Sequence, residues 1–204
     1  MKHRGALTAL IALALLAQAV SGVRADSEAS SDFIKRLIGR SPGKGSTAAC
    51  FSRAYGAAHL AAHPRQNVRE MLTLVLIDSD SPDSYSLTIG ARFRSRKALF
   101  ETTGDCGWPH AEPGASGPPG AHCSVSCDGC SMDVSIKNDG AIYVKIPEGA
   151  NVWRPGDRTT EEGVSRRGAF GADDQFFRVD RANLGQCLPI AFDDGVKALL
   201  AREK

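Results

Sequence analysis

The sequence has no excess of charge in either direction, with 25 lysines and arginines against 23 aspartates and glutamates. Bulk charge therefore gives no reason to expect nucleic acid or anionic lipid as a partner. Familiar catalytic signatures are absent too. There is no Gly-x-Ser-x-Gly elbow to present a serine nucleophile, and His59 is not followed by the glutamate of a His-Glu-x-x-His metalloprotease helix. The stretch from Gly39 to Ser46 fails as a phosphate loop, because its second glycine comes one residue early and Lys44 is followed by Gly45. Gly43-x-Gly45-x-x-Ala48 has no preceding strand and no βαβ unit around it, so it is loop punctuation. No solenoid-type repeat is present. The longest apolar run, near Ala6 to Val20, falls short of the roughly 20 residues that a spanning helix needs.

What that run does resemble is the core of a secretory signal. Lys2, His3 and Arg4 precede it, and Val23-Arg24-Ala25 places small residues where a signal peptidase reads. Residues 1–25 are therefore expected to be removed, leaving a periplasmic or secreted chain without a membrane span. Lys2, Arg4 and Arg24 leave with this segment and no acid does, so 22 basic residues then face 23 acidic ones. The local run Arg92, Arg94, Arg96, Lys97 reads as the solvated face of a strand.

The remaining chain suits one domain with its own core, residues 47–204, preceded by a flexible leader with a short helix over 26–46. Phe33, Ile34, Leu37 and Ile38 fall at helical spacing behind the potential caps Ser31 and Asp32. An alanine-rich second helix is expected from Ser52 to Ala62, stopped by Pro64. Beyond Val68 the period becomes two. Met71 to Ile77 is apolar almost throughout and predicts a strand buried on both faces. Tyr85, Leu87, Ile89, Ala91 and Phe93 alternate with polar residues, and Ser81-Pro82-Asp83 is a turn between these runs. Further strands are expected around Cys123–Cys127, Met132–Ile136, Ile142–Ile146 and Gln175–Val179, with Val152-Trp153 as a short continuation. Asn138-Asp139-Gly140 marks a hairpin. A brief helix over Val196–Leu200 ends the chain, and the regions Trp108–Gly120 and Pro155–Phe170 read as loops. Seven or eight antiparallel strands with short helices imply a disulfide-braced, mainly β fold, either a β-sandwich or a small β-barrel.

Six cysteines follow the leader, in a chain expected to meet an oxidising compartment. Fifteen complete pairings are possible. If Cys123 and Cys127 share a strand, their Cα atoms stand roughly 13 Å apart, beyond the roughly 4.4–6.8 Å of a disulfide. Cys127-Asp128-Gly129-Cys130 can close locally across a tight turn. Cys106 can then meet Cys123, and Cys50 and Cys187 close nearly the whole domain. Two sharper readings compete. Cys127 and Cys130 form a CxxC, but the residues after it alternate like a strand, so no helix dipole activates a thiol. Cys123, Cys127 and Cys130 with Cys106, His110 or His122 could surround zinc, although exported thiols are normally oxidised.

Two further groups of side chains could carry chemistry. His59 and His63 lie four apart on the expected helix and could together hold a metal ion; alternatively they are half-buried, with His63 at the helix end. Trp108, Trp153, Phe176 and Phe177 could line a ligand pocket or simply pack in the core. The pairs Asp173-Asp174, Asp193-Asp194 and Glu161-Glu162 read as solvated surface.

Cys50-Phe-Ser-Arg53, Ala58-His59-Leu60-Ala61, His63-Pro64, Gly104-Asp105-Cys106-Gly107, Cys123 through Gly129 and Gly171-Ala-Asp-Asp174 together resemble a group of uncharacterised exported proteobacterial proteins of similar length. The resemblance implies export and one compact domain. In that group glycine is common at the position of Cys130, which implies a Cys106–Cys127 bridge instead. Taken together, these readings lead us to expect a non-enzymatic binding or envelope-associated module without a cofactor, its partner a small ligand or an envelope protein. The alternatives are an exported metal- or small-ligand-binding protein and a secreted hydrolase or thiol oxidoreductase.

Overall fold

Eight antiparallel strands close into a barrel in a computed structural model that describes residues 30–78, 84–107, 120–125, 130–155 and 169–202. The strands are β1 (Thr47–Ala54), β2 (Val68–Ile77), β3 (Ser84–Phe93) and β4 (Leu99–Gly107), then β5 (Gly120–Ser124), β6 (Ser131–Asn138), β7 (Ala141–Lys145) and β8 (Phe176–Ala182). Each pairs with its neighbour in sequence, and β8 returns to β1. Among the described residues, short helices accompany them: α1 over 30–38, α2 (Ala57–Ala62) and α3 (Asp194–Arg202), with a 3-10 helix over Leu184–Ile190 before α3. Of the two architectures expected, the barrel is the one formed. Among the described residues no helix is long and apolar enough to cross a membrane.

The period-two pattern explains the interior. Phe51 faces Thr73, Thr73 faces Ile89 and Ile89 faces Thr102 across β1 to β4, so these side chains share the inner surface. Met71, Val75, Leu87, Phe93, Met132, Val134, Ile142, Val144, Phe177 and Val179 complete a packed apolar centre. The outer surface of β1 and β2 is apolar as well. Cys50 and Leu74 are partners there, and the 3-10 helix and α3 cover them with Cys187, Ile190 and Leu200. This second core accounts for the unbroken apolar run of β2, which is buried on both sides. Gly90 permits the approach, since a Cβ there would stand 2.5 Å from Cγ2 of Ile190.

The helix over 30–38 is not part of a loose leader. Phe33, Ile34, Leu37 and Ile38 join the inner core, and Phe33 lies 6.5 Å from the Tyr85 ring. Gly39, at φ 86°, ends the helix in the left-handed region and donates to the Lys35 carbonyl. Arg181 of β8 then donates to the carbonyls of Arg36, Leu37 and Ile38 while its guanidinium lies 4.9 Å from the Phe51 ring. A cation thus satisfies the last carbonyls of the helix.

Several local expectations change. The helix predicted from Ser52 is confined to Ala57–Ala62, because residues 47–54 form β1 between β2 and β8. Closing the barrel satisfies both edges of that segment, which outweighs its alanine content. Strand β4 has no clear alternation in sequence, and Trp153 exchanges backbone bonds with Glu101 beside it. The Asn138 hairpin forms as expected, with Asn138 Oδ1 accepting from the Gly140 amide at 3.0 Å.

Two disulfides are present among the described residues. Cys106 bonds Cys123, its direct partner in the β4–β5 register, on the inner face. This corrects the Cys106–Cys127 bridge implied by the resemblance: on adjacent strands Cys123 stands opposite Cys106. Cys50–Cys187 ties the outer face of β1 to the 3-10 helix, as expected. The proposed Cys127–Cys130 bridge lies partly outside the described residues; Cys130 itself is buried. The Ser81-Pro82-Asp83 turn and Trp108 also fall outside them.

The two bridges should differ in their effect on stability. Cys50–Cys187 spans 137 residues and Cys106–Cys123 spans 17. In the chain-entropy picture, replacing the first pair by alanine costs about 5 kcal/mol and the second about 3 kcal/mol. Denaturant unfolding of the two double variants checks this, and the reverse order would contradict it.

Candidate functional site

The inner core leaves the barrel closed by side chains, and the concave surfaces lie at its rim and outer wall. One is a groove of about 890 Å³ where residues 44–46, the β2 and β3 ends and α3 meet. Leu76, Val196, Leu199 and the half-exposed Phe192 give it apolar walls, with charges of both signs at its edges. A second, about 270 Å³, lies between residues 38–40, β1 and the end of β8. A third, about 220 Å³, gathers chemically richer side chains near α2. It is the candidate functional site.

Its first wall is an aromatic ladder. Tyr55 follows β1, and α2 then presents His59 and His63 on one face, as their spacing predicts. The Tyr55 and His59 rings stack at 4.9 Å, and those of His59 and His63 at 4.4 Å. His59 Nε2 lies 2.9 Å from Gln66 Oε1, while Gln66 Nε2 donates to the Val68 carbonyl. Gln66 Oε1 is thereby the acceptor, so His59 carries its hydrogen on Nε2. Metal binding by His59 and His63 would have to use Nδ1 of His59 or break this bond. Among the described residues no three His, Cys, Asp or Glu side chains group as metal ligands.

The other wall comes from the outward faces of β7 and β8. Tyr143 and the exposed Phe176 pair at 4.6 Å, with Arg178 next on that face. Asp180 accepts from both Arg178 Nε and Arg53 Nη1 at 2.9 Å, and Arg53 also lies over the Tyr55 ring. Burial pushes the Tyr55 hydroxyl up to about 12, opposed by Arg53 and reinforced by Asp174 and Asp180. Tyr55 is accordingly a neutral donor, directed at the Arg178 carbonyl.

A buried carboxylate holds the two walls together. Asp174 is only 1% exposed, which corrects its reading as solvated surface. It accepts from the backbone amides of Gly171, Asn67 and Val68. Burial pushes its pKa up, and the three amides offset part of that. Gly171 must be glycine, because a Cβ would sit 1.8 Å from the Arg65 carbonyl oxygen. Asp173, by contrast, pairs with Arg65 at the surface. Arg94 donates to the Leu60 and His63 carbonyls and so caps α2, while Arg92 pairs with Glu70. The basic run is therefore structural as well as solvated.

Other expected groups are not brought to this cleft. His122 pairs with Asp133 at 2.8 Å on the β5–β6 face. Phe177 is buried in the core, Trp153 pairs with β4, and His110 lies outside the described residues. Arg53, Gln66, Tyr143 and Arg178 are cleft residues that sequence reasoning does not single out. Only the alternation of Phe176, Arg178 and Asp180 on β8 carried a signal for them.

Asp174→Ala should destabilise the protein by about 3 kcal/mol or more, since it leaves buried amides without an acceptor. Denaturant unfolding checks the magnitude. Amide resonances of 57–67 should shift with it, whereas a change confined to 171–175 would contradict the tie between the walls. Neither a family model, nor a curated protein, nor a solved structure matches this chain.

Proposed function

We propose that the chain is an exported, non-enzymatic binding module whose barrel is a rigid scaffold and whose recognition surface is the cleft between α2 and β7–β8. One observation carries this reading: mainly apolar side chains pack inside the barrel, while aromatic, imidazole and guanidinium groups converge at a concavity outside it. Pockets of this kind, largely preformed and with a few convergent polar groups, are typical ligand sites. The leader-like N-terminus supports export, and two disulfides suit an oxidising compartment. Outward rows such as Glu70–Arg92 and His122–Asp133 support a barrel that faces water, since membrane barrels turn apolar rows outward. The expected partner is a small ligand, free or displayed by an envelope component.

Expression of the full chain in a Gram-negative cell, followed by intact-mass and peptide analysis, tests the exported state. The expected product begins at Asp26 and yields linked Cys50–Cys187 and Cys106–Cys123 peptides. Recovery of Met1 with reduced thiols would overturn the proposal.

A further inference from the structure

We infer that the cleft selects a carboxylate attached to a flat ring face, as in an acidic sugar or an aromatic acid; this rests on the binding role proposed above. The argument begins with charge. Arg53 and Arg178 share the single carboxylate of Asp180, and Asp173 is matched by Arg65. With the buried Asp174 set against Arg94, one positive charge is left over at the cleft. The two oxygens of Asp180 take up Nη1 of Arg53 and Nε and Nη2 of Arg178. That leaves Nη2 of Arg53 and Nη1 of Arg178 without a hydrogen-bond partner among the described residues. Guanidinium donors in this state suit a second carboxylate, which they bind with charge-assisted bonds.

Shape supplies the other half. His63 at the open end of the Tyr55–His59–His63 ladder and the exposed Phe176 offer ring faces on the two walls, whereas Arg53 lies over the Tyr55 ring and Lys137 over the Tyr143 ring. Such faces stack on aromatic rings or on the apolar face of a pyranose. Phe176 stays 57% exposed although it is large and apolar. A volume of about 220 Å³ is below the roughly 300–1,000 Å³ of drug-sized pockets. It suits one ring with its substituents. The ligand is therefore small, flat and anionic.

Titration of the oxidised mature protein with glucuronate, glucose and benzoate, followed by amide chemical shifts, tests this. Glucuronate or benzoate should saturably shift amides of 57–66 and 176–178, with glucose at least tenfold weaker. Preference for glucuronate identifies a sugar acid, and preference for benzoate an aromatic acid; either supports the inference. Arg178→Gln removes the surplus charge at a half-exposed position and should weaken the anion at least fivefold with the thermal midpoint unchanged. Phe176→Ala provides a second, independent loss through the exposed ring face. Glucose binding as tightly as glucuronate would overturn the charge selection while leaving a binding module. No response at the cleft to any of the three would overturn both.

Discussion

Barrel closure through β1 is the constraint on which the rest depends. This strand pairs with β2 over its whole length and with β8 at Cys50, Phe51 and Ser52. Without it, β2 and β8 would each present an open edge of unpaired amides and carbonyls. The same strand carries side chains into both cores. Phe51 lies inside against Arg181, and Cys50 lies outside, bonded to Cys187. One strand therefore couples the barrel interior, the plug formed by α1 and the covering helices. Because the chain leaves β1 directly into Tyr55 and α2, the position of the cleft is set by the same closure.

The cleft has two walls from distant parts of the sequence, and neither would hold its place alone. Helix α2 has only six residues and buries none of them, too short a segment to be stable through its own hydrogen bonds. Tertiary contacts hold it instead. Arg94 caps its last carbonyls, Gln66 grips His59, and Asp174 anchors the connection that carries Gln66. The buried Asp174 carboxylate tolerates its desolvation because backbone amides point at it from two segments. This differs from a surface ion pair, which contributes little. The Arg53–Asp180–Arg178 group is half exposed, so its value lies in orienting donors at the cleft more than in stability.

The sequence is most legible where a single physical cause acts. Tyr85 to Phe93 alternates because one face of β3 meets the core, and Asn138-Asp139-Gly140 turns because its residues tolerate the turn geometry. The continuous apolar run of β2 correctly implies two covered faces. The sequence is least legible where closure overrides local preference. Residues 52–54 read as the start of an alanine-rich helix, yet they end the strand that lies between two open edges. In β4, Thr102 and Gly104 sit on the inner face and Leu99 on the outer, so the alternation is blurred. Gly104 is there because a Cβ would crowd Met132. At the site, the i, i+4 spacing of His59 and His63 is readable, since a helix brings them together by its period alone. Arg53, Tyr143 and Arg178 are not, because only the β1–β8 and β7–β8 registers place them beside that helix.

The contrast between interior and rim bears directly on function. A barrel of eight strands can hold one small ligand or be filled by its own side chains. Here Phe51, Met71, Phe93, Phe177 and the α1 residues Phe33 and Leu37 occupy the centre, and Arg181 locks the helix in the mouth. Emptying that space for a guest would expose a helix face that is apolar on all four of its core positions. Recognition from outside needs no such rearrangement. In the proposed reading it uses a scaffold braced by two cores and two disulfides. The packed barrel and the outer cleft are in this sense one design, since the strands that close the core also carry both walls of the cleft.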